Sequence, residues 1–402
     1  MKTFGRLTSM EEALRLVDGN IRPINRSETV PLAGATGRVL AQDVVAPFSV
    51  PRRDRAAMDG YAARAADTVG ASSSKPVRLR LVGSVRIGEI PSVQVTPGQC
   101  ALISTGCLLP KGTDSVIMHE NTELAGNQVV VFRPVYEGES VAAAGSDIRT
   151  GSTPLREGDM ITAAKLGVLA SLGVESVRVY QKPRVAVIPT GMEIAKVGSP
   201  IDDAGVYDIN SHTLASVVGE NGGIPEIFDP VPDTREDLFR ALNSALEHDL
   251  VIVAGGSSVG ERDMMYELLS DLGRVLFHGV QIKPGKPTIC SVVKDRVVMG
   301  MPGHPTSCLS NAYLLLMPAL RKMARLPTRR PATFKGKLSR RIVSTLGRKV
   351  FMTVRVEGEE VEPAFKESSA ITSMADADGY IIIPENVDTM EKGDEVEVHL
   401  FT

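Results

Sequence analysis

From Arg184 to Ser307 apolar, strand-like runs alternate with helix-like segments, and glycine-rich turns stand at the junctions. Such alternation predicts a three-layer α/β domain with a largely parallel sheet. RVAVIPTG from Arg184, LVIVA at Leu250 to Ala254 and VVMG at Val297 to Gly300 read as strands. Helices are predicted around Ser211 to Gly219, from Thr234 to Glu247, from Met264 to Leu272 and from Pro305 onward. Ligands of this class bind at the carboxyl ends of the strands. Three turns belong there: AGGSSVGERD from Ala254, KPGKP from Lys283, and GMPGHPTS ending at Ser307. Free backbone N–H groups and positive helix ends at such turns favour an anion. Lys283 and Lys286 stand beside Pro284 and Pro287, whose rings restrict the backbone. Phosphate or a similar oxyanion is the expected guest.

A chain of 402 residues exceeds one core, so two to four domains are expected. Ser9 to Glu12 forms a capping box before a short amphipathic helix. From about Val50 to Val141 the pattern is rich in strands separated by Gly, Pro and Asn, which predicts a compact β-rich module. A helix with Thr162 at its start and Gly173 past its end follows, so the flanks of the module are expected to pack as one domain around the insertion. After Leu326 to Pro331 a period of two returns in KVFMTVRVEG, YIIIPE and DEVEVHLF, predicting a small all-β domain. The fold class is therefore α/β plus β and multidomain. A net charge of −3 argues against a dedicated nucleic-acid binder. Cys100, Cys107, Cys290 and Cys308 lack metal-ligand spacing and read as reduced thiols of a cytoplasmic protein. No signal-peptide core or bilayer-length apolar run is evident.

Each candidate site residue also has a structural explanation. Gly255, Gly256, Ser257, Ser258 and Gly260 could cradle a phosphate, although the string is neither a Walker A nor a dinucleotide fingerprint. Asp263 is either an N-cap or a carboxylate facing Mg²⁺. Glu193 follows the first strand of the α/β domain, and Asp208 and Asp233 lie on nearby connections where Asp is common as a turn or cap residue. Pro302, Gly303, Pro305 and Ser307 make either a well-formed helix start or the seat of a tetrahedral dianion, with His304 a polar loop residue. Asp59-Gly60 reads as a hairpin turn. Thr105, Asp114, Glu120 and Asp147 add polar residues beside glycines, and no nucleophile elbow is present.

Eight strings in order, MDGYA at Met58, ISTGCLLPKGTDSVIMHEN at Ile103, AGSDIRTG at Ala144, PTGMEI at Pro189, YDIN at Tyr207, AGGSSVGERD, KPGKP and MPGHPTS, are together similar to the molybdopterin molybdotransferase family, which includes the E domain of gephyrin. The resemblance spans essentially the whole chain. It implies a split domain I (1–50 and 145–180), an inserted β-rich domain II (51–144), an α/β domain III (181–328) and a C-terminal β-barrel domain IV (329–402). It also implies a homodimer with its active site at the subunit interface. The implied reaction is Mg²⁺-dependent insertion of molybdate into adenylylated molybdopterin with release of AMP. Mg²⁺ would be held by Glu193, Asp233 and Asp263, and the oxyanion by Lys283, Lys286, Ser307 and Ser368. Asp59, Thr105 and Asp147 would act across the interface. Implied partners are a molybdopterin adenylyltransferase and molybdoenzyme maturation proteins. The chain departs from the family pattern at Ala56, where serine is usual, and at Ala142 and Thr353, where arginines are expected. A tungstate-selective or non-catalytic pterin-binding paralogue is therefore the alternative. An adenylyltransferase is disfavoured because its G-G-T-G string is replaced by Gly255-Gly256-Ser257-Ser258.

Overall fold

The computed structural model describes residues 7–255 and 264–401. The chain forms two compact units, one of residues 1–28, 37–39 and 179–402, the other of residues 29–36 and 40–178.

The first unit begins with helix α1 (Met10–Asn20), where the Ser9 side chain accepts the Glu12 N–H as the capping-box pattern requires. The second unit is built on a six-stranded sheet of β1 (Gly60–Ala63), β2 (Val77–Val85), β3 (Gln99–Ile103), β4 (Ser115–Met118), β5 (Thr122–Ala125) and β6 (Gln128–Val131), in the order β4-β1-β3-β2-β6-β5. The Asp59-Gly60 pair is not a hairpin turn. Gly60 opens β1, which lies between two antiparallel neighbours. A Cβ on Gly60 would stand 1.9 Å from the Ile117 carbonyl oxygen, so the close strand approach, rather than a turn, requires glycine here. The same unit carries α2 (Ala163–Ser171), capped by Thr162 and followed by Gly173 at φ +70°.

The α/β part of the first unit contains β7 (Arg184–Pro189), α3 (Asn210–Glu220), β8 (Ile224–Ile227), α4 (Arg235–Ala245), β9 (Leu250–Ala254), α5 (Met264–Leu272), β10 (Arg274–His278), β11 (Ile289–Val293) and β12 (Arg296–Met301). Helix α6 (Pro305–Asn311) then runs through a π turn (Ala312–Leu316) into α7 (Met317–Met323). Strand order is β8-β7-β9-β12-β11-β10. The expected parallel sheet is parallel over its first four strands. β11 is antiparallel to β12 because Lys294 and Asp295 turn one directly into the other, too short a link for a crossover, and β10 pairs antiparallel with β11 at the sheet edge. Three layers follow from alternation along the strands. Val185, Val187, Leu250 and Ile252 pack towards residues of α1, α3, α6 and α7, whereas Ala186, Ile188, Val251 and Val253 pack towards α4 and α5.

Beyond α7 the chain closes a five-stranded barrel of β13 (Thr333–Leu338), β14 (Lys349–Glu357), β15 (Glu360–Pro363), β16 (Gly379–Ile383) and β17 (Glu395–Leu400), ordered β14-β15-β13-β17-β16 with β16 pairing back to β14. Closure leaves this small sheet without a long open edge. A short strand, Ile282–Lys283, adds in parallel to β14 and thereby ties the lysine turn to the barrel.

All four cysteines are free and buried. Burial pushes the Cys100 and Cys290 thiols up to about 12. Cys308 is also pushed up, by burial first and then by the Asp208 charge. An exposed thiol titrates near 9.0, so as pH rises from there towards 12 the unfolded chain loses protons that the folded chain keeps, and stability falls. At pH 8 the native protein should resist iodoacetamide and take up four labels per chain only in denaturant, as mass spectrometry would show. Gly60→Ala should cost about 2–3 kcal/mol through overpacking, read as a lower melting temperature. An unchanged melting temperature would contradict the close strand approach.

Candidate functional site

A cleft of about 650 Å³ opens at the carboxyl edge of the α/β sheet. The parallel strands β7, β9 and β12 end there, at Pro189, Ala254 and Met301. The antiparallel β11 starts at the same edge, with Ile289 opposite Gly300, which is how the KPGKP turn before it reaches the site.

Gly255 shows why glycine follows β9. Its φ is +109°, and a Cβ would lie 2.2 Å from the Thr190 carbonyl oxygen. The ends of β7 and β9 can therefore close on each other. Thr190, just beyond β7, bridges in parallel to Val231, and its hydroxyl donates to the Asp233 carboxylate. Asp233 and Glu193 both line the cleft. Asp208 lines it too, and its Oδ1 accepts the Ser211 N–H at 3.0 Å at the start of α3. It is thus both the turn cap read from sequence and a wall of the site. The Asn210 side chain donates to the Gly303 carbonyl at 2.7 Å, which ties the start of α3 to the PGHP turn.

Pro302, Gly303, His304, Pro305 and Ser307 form the facing wall, with Ser307 buried. His304 Nδ1 and the Ser368 hydroxyl share a 2.8 Å hydrogen bond. The Thr306 N–H donates to the Ser368 carbonyl at 3.0 Å, and its hydroxyl donates to the Ala370 carbonyl at 2.9 Å. The segment 368–370, reached from the barrel, is thereby fastened to this turn, and Ser369 lines the cleft.

The lysine turn contributes Pro287 to the lining. Lys283 is exposed and donates to Thr345 Oγ1 at 2.9 Å, so its ammonium is held on the barrel side. Gly256, Ser257, Ser258, Gly260 and Asp263 lie outside the described residues. Asp59 and Thr105 meet in the other unit, where Asp59 Oδ1 accepts the Thr105 N–H at 2.7 Å and its hydroxyl at 3.2 Å. Asp147 is exposed on a separate turn of that unit, where its N–H donates to the Val50 carbonyl.

The three departures have distinct surroundings. Ala56 is buried and pairs with Val141. Ala142 pairs with Arg55, whose guanidinium donates to the Gly106 carbonyl at 2.5 Å. Thr353 is buried in β14, and Arg355 donates to the Asp376 carbonyl at 2.9 Å. Among the described residues no group of three His, Cys, Asp or Glu side chains converges on one metal position. Mg²⁺ does not need one, because it is usually held by one or two carboxylates together with substrate phosphates and water. Glu193 and Asp233 on one wall fit that mode, not an all-protein cage.

Thr190, Asn210 and Ser369 were not singled out from sequence as site residues. Thr190 and Asn210 do sit inside the PTGMEI and YDIN strings.

Comparisons with known proteins agree along the chain. A profile of the MoeA N-terminal region (domain I and II) matches residues 8–173, one described as a probable molybdopterin binding domain matches 186–322, and one of the MoeA C-terminal region (domain IV) matches 335–401. A Methanocaldococcus jannaschii protein named for molybdopterin biosynthesis is 36% identical over 92% of this chain and 91% of its own. The molybdopterin molybdenumtransferase of Nostoc sp. is 33% identical over 74% of this chain and 69% of its own. Two solved structures of a molybdopterin biosynthesis MoeA protein from Pyrococcus horikoshii match with a TM-score of 0.85, at 37% and 32% identity, covering 99% and 98% of this chain and 100% of each. Since three profiles cover most of the chain and relatives at 36% and 37% identity run nearly end to end with it, the chain belongs to the MoeA family, the molybdopterin molybdenumtransferases of molybdenum cofactor biosynthesis.

Proposed function

We propose that this protein inserts molybdate into adenylylated molybdopterin in a Mg²⁺-dependent step that releases AMP. The observation that carries the reading is the meeting of Glu193 and Asp233 with the Gly255 turn and the Pro302 to Ser307 turn around one cleft. Such a site has carboxylates on one side and anion-friendly backbone on the other. The adenylylated pterin presents a pyrophosphate, and molybdate is a tetrahedral dianion.

The phosphates lie against the Gly255 turn, whose N–H donates to the Met301 carbonyl at 3.2 Å, and are received by Gly256, Ser257, Ser258 and Gly260, which lie outside the described residues. Glu193 and Asp233, with Asp263, would hold Mg²⁺, which would supply positive charge to the phosphates. The Thr190 hydroxyl orients Asp233 for that task. Ser307, Ser368, Lys283 and Lys286 hold molybdate by hydrogen bonds and charge, close to the dithiolene sulfurs.

The proposal extends to a cytoplasmic homodimer in which Asp59, Thr105 and Asp147 of one subunit act on the cleft of the other. It keeps the four-domain division at 1–50 with 145–180, 51–144, 181–328 and 329–402. An adenylyltransferase would supply the pterin, and molybdoenzyme maturation proteins would receive the product. Among the described residues no helix is long and apolar enough to cross a membrane. A tungstate-selective or non-catalytic pterin-binding protein is favoured by one observation, the burial of Thr353 where an anion-binding arginine is expected.

One assay separates these readings: AMP release from adenylylated molybdopterin with Mg²⁺, in the presence of molybdate, tungstate or neither. Release should depend on molybdate, and Asp233→Asn should lower kcat by about 100-fold. Thr190→Val, which keeps the shape but removes the donor, should lower it by about tenfold. Release with tungstate alone would move the assignment to that metal. Pterin binding without release by folded protein would overturn the transferase reading.

A further inference from the structure

The KPGKP turn is anchored differently at its base and at its tip. At the base, the Lys286 carbonyl accepts the N–H groups of Val280 and Thr288, each at 2.9 Å, and Ile282–Lys283 pairs with Lys349 and Val350 of β14. At the tip stands Gly285, which has φ +106° and no side chain to pack.

Asn311, the last residue of α6, fills that role. It is fully buried, and a Cβ on Gly285 would lie 2.5 Å from its Nδ2, so the amide sits flush against the turn. Nδ2 donates to the Gly285 carbonyl at 2.8 Å and to Thr288 Oγ1 at 2.5 Å, while the Thr288 hydroxyl donates to the same carbonyl at 3.0 Å. A carbonyl oxygen can only accept, which fixes the orientation of the amide. The consequence is that Oδ1 is buried with no hydrogen-bond partner. A fold gains nothing from stranding an acceptor, so the residue is explained by its donating side. The π turn Ala312–Leu316 begins at the next residue, and such irregularities recur at functional sites.

One seven-residue helix therefore carries Ser307 near its first turn and Asn311 at its last residue. We infer that Asn311 and Thr288 are positioning residues that hold Lys283 and Lys286 in register with the Ser307 turn. They set the affinity for the oxyanion, and they do not set the rate of the step once it is bound. This inference rests on the reading of the cleft proposed above. Lysine is a point charge on a flexible stem, so the position of its backbone decides where the charge can be delivered.

The test compares the full-length protein with Asn311→Leu, Thr288→Val and Thr288→Ser. Two readouts are needed, the molybdate dependence of AMP release and calorimetric titration with molybdate alone, each beside a melting temperature. Asn311→Leu and Thr288→Val should raise KM and Kd for molybdate by about tenfold, with kcat at saturating molybdate within about twofold of the unmodified protein. Thr288→Ser, which keeps the hydroxyl, should restore both constants. A lowered melting temperature with unchanged KM and Kd would reduce the network to a structural role and overturn the inference, as would a loss confined to kcat. If Asn311→Leu does not fold, the Thr288→Val and Thr288→Ser pair decides. Absence of both molybdate binding and AMP release in the unmodified protein would remove the reading of the cleft, and this inference with it. An active unmodified protein with unaltered variants would remove this inference alone.

Discussion

Burial of β9 on both faces is the constraint from which the α/β part of the molecule is built. Leu250 to Val253 are inaccessible to solvent and lie between β7 and β12, with helical layers above and below. Removing such a side chain from water is worth about 1.5–3 kcal/mol, so the strand cannot shift without losing several such contributions together. Its backbone leaves the sheet at Ala254. The next residue must turn at once, against the carbonyl of Thr190, and only glycine fits. The cleft is thus a product of sheet packing. The chain cannot continue as a strand there, and Ala254 and Gly255 pass directly into the lining of the cleft.

A second layer of order comes from polar contacts too specific for packing to dictate. Thr190 with Asp233, Asp208 with the start of α3, and Asn210 with Gly303 each join a loop to a neighbouring element. These contacts convert an edge that is generic to α/β sheets into one with fixed carboxylates. Rigid strands carry the loops and the loops carry the chemistry.

Much of this was legible in the sequence where a local rule governs. Ser9, Thr162 and Thr234 stand as N-caps in the structure because a short hydroxyl side chain is the simplest partner for a free N–H of the first turn. The layer alternation of β7 and β9 follows from apolar runs long enough for strands, bounded by turns. The antiparallel β11 and β12 pair was not legible, since an apolar run carries no direction and both orientations bury it equally well. Gly60 was read as a turn residue because Asp-Gly is a strong local signal. A tertiary contact with Ile117 overrode it. The hydrogen bond from Lys283 to Thr345 was not legible either, since its partner lies 62 residues away and no local pattern announces it. Asn210 was missed for the same reason, as its partner lies 93 residues further on.

The fastening of residues 368–370 to His304 and Thr306 has a consequence in time. A ribosome makes every strand of the α/β sheet before it reaches Ser368, so the sheet and most of its cleft can form while the segment that supplies Ser369 is still unmade. During that interval the turn at Pro302 to Ser307 lacks the partners that later hold it. The pocket is therefore finished from a distance, by a portion of chain whose own fold is a separate closed barrel.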